Sequence, residues 1–211
     1  MSLITKYFII STLNFYITIL ANLSTNLHNY LRFLSLFMLI LIMDYEKVII
    51  MKTKEEKTNA IRIVDSHNIP YKLHSYLGTE AISGTEVAKV LNKNPNKVFK
   101  TLVTVSKSRT NYVFLIPVNK ELDLKKAAKS VKEKSIEMLK SKDLLPLTGY
   151  VHGGCSPIGM KKTFITVIDK SAINFDTIYF SGGKIGYQIE MNINDLKKII
   201  NFNLDDICKD D

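Results

Sequence analysis

The charge pattern breaks abruptly near residue 50, and that break limits which part of the chain can fold as a domain. Residues 7–31 contain no aspartate, glutamate, lysine or arginine, and residues 33–43 (FLSLFMLILIM) are almost wholly apolar. From Met51 the sequence MKTKEEKTNAIRIV mixes charges and apolar residues at the short intervals of a water-facing domain. Of 29 basic and 20 acidic residues, only Lys6, Arg32, Lys47, Asp44 and Glu46 fall in the first 50 positions, so the rest carries a formal +8 of the total +9. A bilayer span needs roughly 20 apolar residues. The first run is long enough but diluted by Ser, Thr and Asn, and the second is short for a span. No small-residue cleavage site follows before Asp44, which argues against a signal peptide. Three readings stand: translation that begins at Met51, a membrane anchor, or an amphipathic helix. The composition change favours the first. Residues 1–50 are then a hydrophobic extension and 51–211 the folding domain, with no stable membrane association expected.

A basic domain suits a polyanionic partner such as nucleic acid, although a lysine-rich genome-wide composition gives the same excess. Cys155 and Cys208 are far apart and form no CxxC pair, and His28, His67, His74 and His152 lack metal-ligand spacing. Neither a disulfide framework nor a zinc site follows from them, and a cytoplasmic location is the natural expectation.

Apolar residues at 60, 61, 63 and 64 predict a helix over 58–67, with Thr53 and Glu56 in capping-box spacing before it. Residues 71–76 alternate as a strand. Ser83 and Glu86 predict a capped helix over 83–91, followed by a loop at 92–96. Residues 98–105 and 112–118 read as two β-rich strands of a hairpin. A helix is expected over 122–132 with Lys125, Lys126, Lys129 and Lys132 on its outer surface, and a shorter one around 142–145 that ends at Pro146. Strands follow at 164–169, 177–180 and 186–191, the last two joined by the turn at 181–184. The final helix is expected over 193–201, starting at Asn194-Asp195. The fold class is α+β: a closed or strongly curved mixed sheet with helices packed outside.

Three segments can carry chemistry. Lys100 interrupts the apolar strand 98–105, on the same face as Val98 and Leu102. An edge lysine with its stem packed and its amine in water is the plainer alternative. The stretch Thr148–Gly159 pairs glycines whose amides can approach a phosphate or a carbonyl oxygen. Ser181-Gly182-Gly183-Lys184 offers a hydroxyl, free amides and a cation in one turn. Both glycine runs also read as plain turns. A Walker A loop, a G-x-G-x-x-G fingerprint and a G-x-S-x-G elbow are missing, which argues against NTPase, dinucleotide and serine-hydrolase chemistry. Cys155 lies three residues from His152, but the sequence gives no reason for the two to meet as a thiol nucleophile and its base.

In order, Ile69-Pro70-Tyr71 with His74-Ser75-Tyr76, Pro95 with Val98-Phe99-Lys100-Thr101-Leu102, Leu122–Ala128, Thr148–Gly159, and Tyr179–Lys184 resemble the YbaK-type branch of the prolyl-tRNA-synthetase-associated editing family. The resemblance covers nearly all of 54–209 and implies a YbaK-like fold that deacylates mischarged tRNA, Cys-tRNA(Pro) in this branch. It implies Lys100 as the catalytic residue and Tyr76, Thr101, Gly153, Gly154, Ser156, Ser181, Gly182 and Gly183 as substrate-binding positions. It implies no metal and no cofactor, since the substrate thiol is thought to attack its own ester. The partners implied are mischarged tRNA-Pro and prolyl-tRNA synthetase. The family often carries an aromatic residue where this chain has Ser83, which keeps Ala-tRNA(Pro) or broader specificity open. A non-catalytic tRNA-binding module is the rival from another class.

Overall fold

The structure, a computed structural model, describes residues 12–13, 33–43, 57–81 and 83–210. The chain divides into residues 1–56 and 57–211. In the first unit, residues 33–43 are helical, with Leu36 and Leu39 each 56% exposed. No helix among the described residues is long and apolar enough to cross a membrane. Most of the 7–31 run, the proposed start at Met51 and the Thr53–Glu56 capping box lie outside the described residues.

The second unit opens with α1 (Asn59–Ser66), which buries Ala60, Ile61 and Val64. Its cap is Thr58, whose hydroxyl accepts from the Ile61 amide at 3.2 Å. Next come β1 (Lys72–Ser75) and α2 (Gly84–Val90), the latter closed by the expected Ser83–Glu86 capping box. A 3-10 turn at Pro95–Lys97 leads into β2 (Phe99–Ser106), which pairs antiparallel with β3 (Asn111–Pro117) as the expected hairpin. After these are α3 (Leu124–Ser130), β4 (Ile136–Met138), α4 (Ser141–Thr148) and β5 (Ile165–Asp169). The chain ends with β6 (Ile178–Ser181), β7 (Tyr187–Met191), α5 (Ile193–Leu196) and β8 (Asn203–Asp205).

The strands make a three-stranded sheet, β1-β7-β6, and a five-stranded sheet, β4-β2-β3-β5-β8, in which β3–β5 and β5–β8 run parallel. A single bridge between Val98 and Tyr179 links the two sheets. The larger sheet is covered on both faces. Phe99, Val103, Leu115 and Ile168 pack with Phe180 and Ile189 of the smaller sheet on one side. Phe114, Ile116 and Val167 pack against Ala127 and Ala128 of α3 on the other. Burial on both faces is why β3 is apolar from Tyr112 to Ile116 instead of alternating.

Four expectations are corrected. Helix α4 does not stop at Pro146 but runs to Thr148. The proline removes one backbone donor; the turn is held instead by Thr148, whose hydroxyl donates to the Leu144 carbonyl at 2.8 Å. The helix ends at Gly149, whose φ of +84° suits glycine. The last helix starts at Ile193 but ends at Leu196, shorter than expected, because the bonds that follow are of the tighter i to i+3 kind: the Lys198 amide donates to the Asp195 carbonyl and the Ile199 amide to the Leu196 carbonyl, each at 3.0 Å. The lysines of 122–132 do not make one free face. Lys126 donates to the Cys208 carbonyl (2.9 Å) and to Asp210 (2.7 Å), pinning the C-terminal segment, and Lys132 lies beyond α3 at φ +60°. The short strands β4 and β8 appear where no strand was expected.

Candidate active site

Strand β4 pairs only with Thr104–Ser106, so among the described residues the first half of β2 has no ladder partner on that edge. A cavity of about 410 Å3 opens there. Its walls are β2 from Val98 to Val103, the start of α2 at Ser83 and Gly84, and Ser141 and Leu144 of α4. Tyr76, Gly153, Ser181 and Gln188 close it. Gly84 is required here. A Cβ at that position would stand 2.4 Å from Cγ1 of Val118, which also lines the cavity.

Lys100 lines this cavity and is half-buried. Its amine donates to the Val118 carbonyl at 3.1 Å. Removal from water pulls the Lys100 amine below the ordinary lysine value, while Glu121 and Cys208 pull weakly the other way. The Glu121 carboxylate is itself held by Lys209 at 2.6 Å. No aspartate or glutamate is among the described lining residues. The cation therefore faces a partly dry space with only a neutral oxygen beside it, an arrangement that favours an incoming anion or developing oxyanion.

Of the positions singled out in the sequence, Lys100, Tyr76, Thr101, Gly153 and Ser181 come together in the cavity lining. Gly154, Ser156, Gly182 and Gly183 are not among the lining residues; they build the turns behind it. A Cβ on Gly154 would lie 3.1 Å from the Ile185 amide nitrogen, so this glycine lets the two glycine-rich turns touch. Ser156 is fully buried, and its hydroxyl accepts from the Ile158 amide at 3.3 Å. Gly183 has φ +90° and its amide donates to Ser181 Oγ at 3.2 Å. The start of α1 pins both turns: Thr58 donates to the Gly182 carbonyl, and Asn59 donates to the Gly159 carbonyl at 2.8 Å.

Ser83, His152, Cys155 and Gln188 are among the further lining residues, and the sequence does not single them out as binding groups. Ser83 borders the cavity while its hydroxyl is engaged in capping α2. His152 and Cys155 also line it. Burial pushes the Cys155 thiol up to about 12, which keeps it protonated at neutral pH and unsuited to attack. Gln188 sits on β7 opposite Ser181 of β6. A polar residue in an alternating strand reads as solvent-facing, so nothing in the sequence marks it.

A family model described as the aminoacyl-tRNA editing domain matches residues 79–199. A curated protein of Enterococcus faecalis, provisionally named Cys-tRNA(Pro)/Cys-tRNA(Cys) deacylase EbsC, is 47% identical over 141 residues, covering 66% of this chain and 86% of that protein. Among solved structures, one described as a provisional trans-editing enzyme for prolyl-tRNA synthetase aligns with a TM-score of 0.62 at 21% identity, covering 72% of this chain and 98% of that one. A second, described only as a hypothetical protein, aligns with a TM-score of 0.66 at 18% identity over 72% of this chain and 99% of its own. At those identities the two structures speak for the fold alone, and the fold is the α+β, YbaK-like one expected. With the match spanning the walls of the cavity and both glycine-rich turns, the chain belongs to the aminoacyl-tRNA editing domain family.

Proposed function

We propose that this protein deacylates mischarged tRNA, with Cys-tRNA(Pro) as its main substrate. The observation that carries the reading is the Lys100 ammonium in a cavity whose lining has no carboxylate, beside the exposed glycine of the 148–159 turn. An aminoacyl-tRNA 3′ end supplies what such a site lacks: a terminal phosphate and an ester carbonyl that becomes anionic as it is attacked. Cys155, held protonated, is not offered as the nucleophile. The substrate thiol instead forms a bond to its own carbonyl carbon while the ester bond to the ribose oxygen breaks. The thiol proton leaves with that oxygen, which becomes a hydroxyl, and the cyclic thiolactone released is opened by water. In this reading Lys100 steadies the negative charge, and the backbone at Gly153, which lines the cavity, meets the carbonyl. No general base of the protein is needed on this route.

Mischarged tRNA is the partner of this reading, with prolyl-tRNA synthetase as a further proposed partner and the cytoplasm as the compartment where the substrate arises. The Enterococcus relative is named for both Cys-tRNA(Pro) and Cys-tRNA(Cys), and Ser83 leaves one wall of the cavity low. The test is deacylation of Cys-tRNA(Pro), Cys-tRNA(Cys) and Ala-tRNA(Pro) side by side. Faster loss of the two cysteinyl esters supports the thiol route. Equal or faster loss of the alanyl ester shifts the reading to Ala-tRNA(Pro) with water attacking, and tRNA binding without turnover reduces it to a binding module.

A further inference from the structure

Two oxygen atoms of the cavity residues are left without a hydrogen bond. Thr101 Oγ1 and Gln188 Oε1 are buried and have no partner among the described residues. Gln188 is the more constrained of the two. It is only 7% exposed, and its strand is the middle one of the smaller sheet, paired with His74 on β1 and Ser181 on β6. A buried amide oxygen left unpaired is unfavourable, and the bond it gains most from is one to a charged donor. The proposed substrate brings such a donor: its α-ammonium group stands one bond away from the carbon that carries the ester carbonyl. The cavity meets that cation with no aspartate or glutamate and with a second cation, Lys100.

We propose that Gln188 Oε1 accepts a hydrogen bond from the α-ammonium group of the aminoacyl ester, so that the site selects esters with a free α-amine over N-acylated ones. The inference rests on the deacylase reading above. A neutral acceptor suits this place, because it receives the ammonium without adding a fixed charge that would compete with the substrate for Lys100. Along the thiol route the amine takes no part in making or breaking bonds. Acetylating it leaves the reacting atoms in place but removes the ammonium's electron withdrawal from the ester, a factor common to all variants, so recognition is read from how the ratio of the two rates changes when Gln188 is replaced.

The experiment compares kcat/KM of the full chain on Cys-tRNA(Pro) and on N-acetyl-Cys-tRNA(Pro), for the wild type, Gln188→Met and Gln188→Glu. The wild type is expected to prefer the free amine by about tenfold or more, the scale of one hydrogen bond to a charged group. Gln188→Met, close in shape but lacking the oxygen, should lose most of that preference through a slower reaction of the free-amine substrate, with the N-acetyl substrate unaffected. Gln188→Glu keeps an acceptor and should keep the preference, with both esters slowed because its charge competes for Lys100. The proposal is overturned if the wild type shows no preference, if Gln188→Met keeps it, or if both substrates slow together in that variant. A wild type that hydrolyses neither ester defeats the deacylase reading itself, a failure distinct from any of these.

Discussion

Lys100 sits half out of water with a neutral carbonyl as its hydrogen-bond partner, and its chemistry follows from that. Burial holds its amine below 10.5, so the folded chain gives up this proton at a lower pH than the unfolded chain does. Between those two values the unfolded state binds more protons, and Lys100 makes stability rise with pH there. Activity that needs the ammonium falls across the same window. An NMR titration of the Lys100 side chain is expected to give a midpoint under 10.5, and a midpoint at or above it would contradict the desolvated site. Cys155 behaves in the opposite sense. With its thiol pushed up to about 12, it stays protonated and buried, so Cys155→Ser should keep most deacylation activity. Alkylation of Cys155 in the folded protein should also be slow at neutral pH. Loss of turnover in Cys155→Ser would restore the thiol-nucleophile alternative.

At the level of elements, the start of α1 is the clamp on the site. Thr58 caps the helix and also donates to the Gly182 carbonyl, so Thr58→Ala removes two bonds at once. A lost cap costs about 1 kcal/mol, which for a domain of this size lowers Tm by roughly 2–4 °C. The same variant should slow deacylation, because the Ser181–Lys184 turn loses its anchor; unchanged Tm and rate would show that the clamp is dispensable. Local signals were readable in the sequence wherever they act within a few residues. The Ser83–Glu86 box, the β2–β3 hairpin and the alternation of β7 all sit where their patterns place them. What escaped was decided by distant partners. Strands β4 and β8 have three residues each and exist through pairing with β2 and β5. Pro146 reads as a stop in the sequence, yet the helix continues because a threonine hydroxyl and a left-handed glycine complete its last turn. Gln188 was invisible as a site residue, since only the junction of the two sheets turns its face of β7 inward. Tyr76, Lys100, Thr101, Gly153 and Ser181, which the motif resemblance singles out, line one cavity.

On the scale of the molecule, the formal +8 carried after residue 50 sits on the part that bears the cavity. tRNA binding should therefore weaken as salt rises, with the logarithm of affinity falling linearly against the logarithm of salt concentration as counterions are released. A salt-independent affinity would remove the electrostatic part of the account. Lys126 is expected to contribute little to that slope, because its amine is committed to Cys208 and Asp210. The central claim is that one desolvated ammonium drives turnover. Its most direct test is single-turnover deacylation of Cys-tRNA(Pro) by Lys100→Ala, made alongside a wild type of equal Tm. The account predicts a rate at least about 100-fold lower, the scale of losing one charge-stabilising group. A rate near that of the wild type would contradict it.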